Sequence, residues 1–131
     1  HIKKKIYPSI LKKKIIICDR FTDSTFAYQV YGKGVSRNLV NNIHRYILGQ
    51  VKPDLTFILK TKVSKAMLRL KKRKKKNRYD RFTEKFYNKV QKAFLRIAKS
   101  NKRKYMVVDN SFDIPRTEEI IYKKFIKTYS K

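Results

Sequence analysis

The stretch IIICDRFTDSTFAYQ, residues 15–29, sets an acid and an arginine, Asp19 and Arg20, at the end of an apolar run. An unpaired charge beside a buried strand is costly, so both side chains call for a partner. An arginine fork can hold a phosphate through two parallel hydrogen bonds, and Asp19 can orient that fork or touch a metal-bound water. Spacing alone leaves a second reading open, in which Asp19 and Arg20 pair with each other or cap the next helix. Ser24, Thr25, Tyr28 and Gln29 follow, and the separations 24/28 and 25/28/29 put them on neighbouring faces of one helix. Two hydroxyls, a ring and an amide suit a heterocycle and a sugar.

Those side chains need a scaffold, and apolar periodicity supplies one. Residues 1–12 read as the tail of a helix on Ile2, Ile6 and Ile10, with Pro8 marking a kink or the point where the chain leaves the helix. KIIIC (14–18) is a short β-branched run, expected as a strand buried on both faces, with Cys18 as core filling. Capping residues Thr22–Thr25 open a helix to about Tyr31, which Gly32 and Gly34 end. Ser36 caps another helix, carrying Leu39, Val40, Ile43, Ile47 and Leu48 up to Gly49. KPDLTFILK (52–60) repeats the turn-and-strand pattern, and Ser64 begins a helix through Leu70 that runs into the basic segment 71–81. An amphipathic helix over 82–98, a third buried strand at KYMVVD (104–109) and a last helix capped by Thr117 complete the chain. Short apolar strands alternating with helices predict an α/β fold with a parallel sheet and flanking helices, whose ligands bind at the carboxyl ends of the strands.

At DRFTDSTFAYQ the chain resembles the bacterial thymidylate kinases, which carry DR[YFH]-x-x-S-x-x-A-Y-Q after a buried strand. YGKGVS, KPDLTFIL and NRYDRF are similar to the family too, in the same order, so the likeness runs from about Ile2 to the last helix. The resemblance implies a P-loop nucleoside monophosphate kinase fold and transfer of a phosphoryl group from ATP to dTMP, with Mg²⁺, in the cytoplasm. It assigns the dTMP phosphate to Arg20, with Asp19 organising that arginine or, indirectly, the magnesium shell. It puts Thr25 at the thymine edge, Tyr28 beside the deoxyribose where it excludes a 2′-hydroxyl, and Gln29 in the same pocket, with Ser24 either a further ligand contact or a hydrogen bonder at the helix start. Its basic lid falls at about 70–82, where Arg69, Arg73, Arg78 and Arg81 are candidates for the donor phosphates. Thr83, followed by Glu84, stands where many relatives have a glutamate. Family members are usually homodimers.

The family's donor-phosphate loop has the form G-x-x-x-x-G-K-[ST], and the three glycines here, at 32, 34 and 49, form no such loop. The expectation is therefore a partial thymidylate kinase-like domain over 1–131, holding strands three, four and five of the family's five and lacking the first, central one. Neighbouring strands lie about 4.8 Å apart, so two apolar edges would face a gap. On that account the chain alone should be inactive, poorly soluble and marginally stable.

A net charge of +27, from 36 Lys and Arg against 9 Asp and Glu, makes an anionic partner the first thought. Lys, Ile, Asn, Tyr and Phe all have A/T-rich codons, however, and lysine outnumbers arginine 26 to 10, so much of the charge reads as composition. Two alternatives to a dTMP kinase stand: another P-loop deoxynucleoside or nucleotide kinase, or a basic nucleic-acid-binding module using Tyr79, Phe82, Phe86 and Tyr87. Those aromatics fall at helical core spacing with Val90 and Phe94, so nucleic acid is not expected as a specific partner. No apolar stretch is long enough for a membrane span, a single cysteine allows no internal disulfide, and neither His1 nor His44 is assigned a catalytic role.

Overall fold

The computed structural model describes residues 2–72, 81–111 and 114–130. The chain divides into two units, His1–Lys52 and Pro53–Lys131.

The first unit is helical. A π-helical stretch, Ile2–Ile6, leads into α1 (Tyr7–Leu11) with Ile6 buried. Pro8 falls in the first turn of α1, where its missing N–H has no partner to lose, so the expected kink becomes a helix start. Lys13, at φ 52°, stops the helix in the left-handed region. α2 (Thr22–Thr25) widens into a π-helical stretch, Phe26–Gly32, which buries Ala27 completely. Gly34, at φ 79°, turns the chain out of it. α3 (Arg37–Leu48) starts under the Ser36 hydroxyl, which accepts the Leu39 N–H at 3.4 Å, and stops at Gly49. Gly49 has φ 56°, a conformation that favours glycine, and a Cβ there would sit 3.1 Å from the Tyr7 hydroxyl, close enough to crowd it. The same hydroxyl donates to the Leu48 carbonyl at 3.2 Å, tying α1 to the end of α3.

The second unit carries the sheet. β1 (Thr56–Lys60) and β2 (Tyr105–Asp109) pair in parallel, with Thr56 opposite Tyr105 and Lys60 opposite Asp109. Between them come α4 (Val63–Lys71) and α5 (Glu84–Ser100), and α6 (Ile114–Tyr129) follows β2. α5 packs on both strands and α6 on β2, with Val90, Ala93, Ala98, Ile58 and Val108 buried as a small core. Thr83 caps α5 by accepting the Phe86 N–H at 3.3 Å. The Gln91 amide donates to the Thr61 carbonyl at 2.6 Å, pinning α5 to the end of β1.

The α/β architecture with a parallel sheet is as expected, but three local expectations need correction. Residues 14–18 form no strand: Ile15 is 66% exposed and Ile17 92%, and Cys18 is exposed rather than core filling. A strand exists only against a neighbour's amides and carbonyls, and the described part of this unit contains no other strand. Nor are the two strands that form buried on both faces, since Leu59 and Val107 are exposed while Ile58 and Val108 are not. Thr117 lies inside α6 and does not cap it. Its hydroxyl is buried and donates to the Asn110 side chain at 3.1 Å. His44 is half-covered, with its ring edge-on to Phe26 at 5.4 Å.

Candidate functional site

The site grows out of the turn between Cys18 and Phe21. Arg20 adopts φ 65°, a left-handed backbone that costs a non-glycine residue about 1–2 kcal/mol. Such strain persists where the surroundings hold it and clusters at functional sites. Phe21 then returns to extended backbone, and its carbonyl accepts the Ser24 N–H at 3.0 Å, closing the first turn of α2. The turn brings the Arg20 guanidinium back over the helix it precedes, with its central carbon 4.8 Å from the centre of the Tyr28 ring.

Among the described residues no ion pair joins Arg20 to Asp19, although both are exposed. Of the two readings left open by spacing, mutual neutralisation is therefore not the one adopted. Ser24, Thr25, Tyr28 and Gln29 are all half-buried on the same helical run. Beyond Thr25 the run is a π-helix, so its wider turn replaces the α-helical spacing assumed from sequence. Lys33 donates to the Tyr28 carbonyl at 3.1 Å, and Val35 to the Gln29 carbonyl at 2.9 Å. These bonds occupy the backbone oxygens of both residues. The first unit thus gathers an arginine fork, a carboxylate, two hydroxyls, a phenol and an amide along one turn and one helix.

Sequence reasoning missed the support beneath this run. Arg37, in the first turn of α3, donates to the Tyr31 hydroxyl. Its guanidinium carbon lies 5.1 Å from the Tyr31 ring centre and 5.7 Å from that of Phe26. Phe26 in turn meets His44. The four residues clamp the π-helical run to α3, and their spacing matches no simple period that could have announced them. Burial holds the His44 pKa below its ordinary value, with the Asp23 carboxylate acting in the opposite direction.

Of the lid candidates, Arg69 is exposed in the last turn of α4 and Arg81 is exposed just before α5. Arg73 and Arg78 lie outside the described residues, as does Tyr79. Phe82, just before α5, and Phe86, inside it, stack on each other at 4.2 Å and are half-covered. Among the described residues no three His, Cys, Asp or Glu side chains gather into a metal cage, and no helix is long and apolar enough to cross a membrane. Asp19 is the carboxylate adjoining Arg20. Magnesium commonly takes one or two carboxylates plus phosphate oxygens and water, so this residue fits a water-mediated contact at most.

Comparison with known proteins points one way. A family model for thymidylate kinase matches residues 1–121. A thymidylate kinase of Wolbachia pipientis wMel is 46% identical over 99 residues, covering 75% of this chain and 48% of its own length. Its counterpart from the Wolbachia of Culex pipiens is 36% identical over 132 residues, covering 100% of this chain and 61% of its own. The crystal structure of thymidylate kinase from Ehrlichia chaffeensis superposes with a TM-score of 0.67 at 31% identity, over 95% of this chain and 56% of that one. The chain spans about half to three-fifths of the length of these relatives.

Proposed function

The chain belongs to the thymidylate kinase family, and from that premise we propose that residues 19–29 bind dTMP as the acceptor of a phosphoryl group from ATP. The fold is that of the P-loop nucleoside monophosphate kinases, represented here by the parallel β1–β2 pair and its flanking helices. One observation carries the reading: the strained turn at Arg20 delivers a guanidinium over the ring of Tyr28, on the helical run that also carries Thr25 and Gln29.

In the proposed reaction an oxygen of the dTMP phosphate attacks the terminal phosphorus of ATP. A new P–O bond forms as the bond to the ADP leaving group breaks, giving dTDP and ADP. The protein's part in such a transfer is chiefly positioning and charge neutralisation. Arg20 holds the acceptor phosphate, with Asp19 orienting it. Thr25 reads the thymine edge, and Tyr28 lies beside the deoxyribose where a 2′-hydroxyl would collide with it. Gln29 and Ser24 complete the pocket. Magnesium, when bound with the nucleotide, neutralises charge on the transferring group, and Asp19 would meet it through water. Arg69, Arg73, Arg78 and Arg81 are proposed to cover the donor phosphates. The 131 residues contain no G-x-x-x-x-G-K-[ST] loop to cradle those phosphates, so acceptor binding is proposed for this chain alone and turnover is not. Homodimerisation is proposed for the protein in which the site works.

Calorimetric titration with dTMP tests the site. Arg20→Ala should weaken dTMP at least tenfold, since truncating a charge-assisted bidentate contact costs about 1.5–3 kcal/mol. Thymidine, which lacks the phosphate, should bind the variant as it binds the parent. Equal loss for both ligands, or dTMP binding untouched by the substitution, would remove Arg20 from the phosphate.

A further inference from the structure

We infer that Tyr28 is a positioning residue for Arg20, whose ring holds the guanidinium so that its N–H fork is presented to the phosphate of the bound nucleoside monophosphate. This rests on the reading of Arg20 as the phosphate contact, and it assigns Tyr28 a task apart from its place beside the sugar.

The argument begins with the backbone. An exposed arginine on relaxed backbone loses much rotamer freedom when a ligand fixes it. Here the left-handed turn at Arg20 folds the side chain back along α2, and its guanidinium carbon comes to 4.8 Å from the Tyr28 ring centre. That is within the range of a cation–π contact, which uses the ring's electron-rich face and consumes none of the five N–H donors. An ion pair with Asp19 would have occupied the fork itself, and among the described residues that pair is not made. Tyr28 is held in turn. It follows Ala27, which is 0% exposed, on a run that Arg37 clamps to α3. The ring is thus a fixed rest, and the arginine the part that lies on it.

The ratio of thymidine to dTMP dissociation constants isolates the phosphate's share of binding, because any loss of sugar or base contact affects both ligands alike. Titration calorimetry with these two probes is to be run on the parent chain, Tyr28→Phe, Tyr28→Leu and Arg20→Ala. Tyr28→Leu should lower the ratio by about two- to fivefold, the size of an exposed cation–π contact. Tyr28→Phe, which keeps the ring, should restore it. An unchanged ratio in Tyr28→Leu together with a collapsed ratio in Arg20→Ala overturns the inference and leaves the phosphate reading of Arg20 standing. A Tyr28→Phe ratio as low as that of Tyr28→Leu also overturns it, since the hydroxyl rather than the ring would then be at work. A ratio unmoved by Arg20→Ala removes both readings together.

Discussion

At the scale of single residues, the first unit contains a titrating group whose environment favours one charge state. Burial against Phe26 keeps His44 neutral below the pH at which an exposed histidine takes up a proton, about 6.5. The unfolded chain therefore binds the proton first as pH falls, and stability drops with it. The loss should begin near that unfolded value and continue down to the lowered folded one. Asp23 opposes the effect without being its largest cause. The expected outcome is a lower helical melting midpoint, by circular dichroism, at pH 5.5 than at pH 7.5. In His44→Gln that difference should shrink. A difference of the same size in both proteins would mean that other groups carry it. None of this was visible in the sequence, which places His44 simply on a helix. By contrast, Asp19, Arg20, Ser24, Thr25, Tyr28 and Gln29 were legible as a set because they lie within eleven residues. The left-handed turn was not legible, because arginine carries no local signal for positive φ.

At the scale of elements, the sequence marked helices better than strands. Ser36 and Gly49 bracket α3 as expected, since a cap and a left-handed glycine act through neighbouring backbone. The run at 14–18 read as a strand on composition alone, yet pairing is a property of two segments, and the described residues of the unit that contains it offer no second one. Thr117 misled for a related reason. Its hydroxyl bonds Asn110, seven residues back, so a residue type common at helix starts serves instead as a buried link between the end of β2 and α6. Thr117→Val keeps the shape and removes the donor. It should destabilise the second unit by about 0.5–1.5 kcal/mol through the lost hydrogen bond. At roughly 4–8 °C per kcal/mol for a domain of this size, thermal denaturation should register the change clearly. Thr128→Val, at an exposed residue whose hydroxyl donates to the Lys124 carbonyl, should move the midpoint far less. Equal shifts would show that burial at Thr117 is not what matters.

At the scale of the whole molecule, much apolar surface faces solvent within each unit. Ile15, Ile17, Leu39, Ile43 and Ile47 are exposed in the first, Leu59 and Val107 in the second. Among the described residues no large side chain is fully buried, so the cores are thin. Burying one leucine-sized side chain contributes about 1.5–3 kcal/mol, and several such contributions are unrealised here. Self-repulsion from a net charge of +27 acts in the same direction. The isolated chain should therefore melt broadly and should bind a neutral solvatochromic dye at room temperature. A sharp transition without dye binding would contradict this account. Periodicity in the sequence identified these apolar stripes correctly but could not say whether anything would cover them.

The exposed sulfur of Cys18 has a practical use. It is the single thiol in 131 residues, and it lies 3.5 Å from the Arg20 carbonyl on the strained turn. A maleimide fluorophore would consequently attach at one known address, without any engineered handle. Occupancy of the proposed dTMP site could then be followed as a change in emission, and storage in air would join two chains through the same atom.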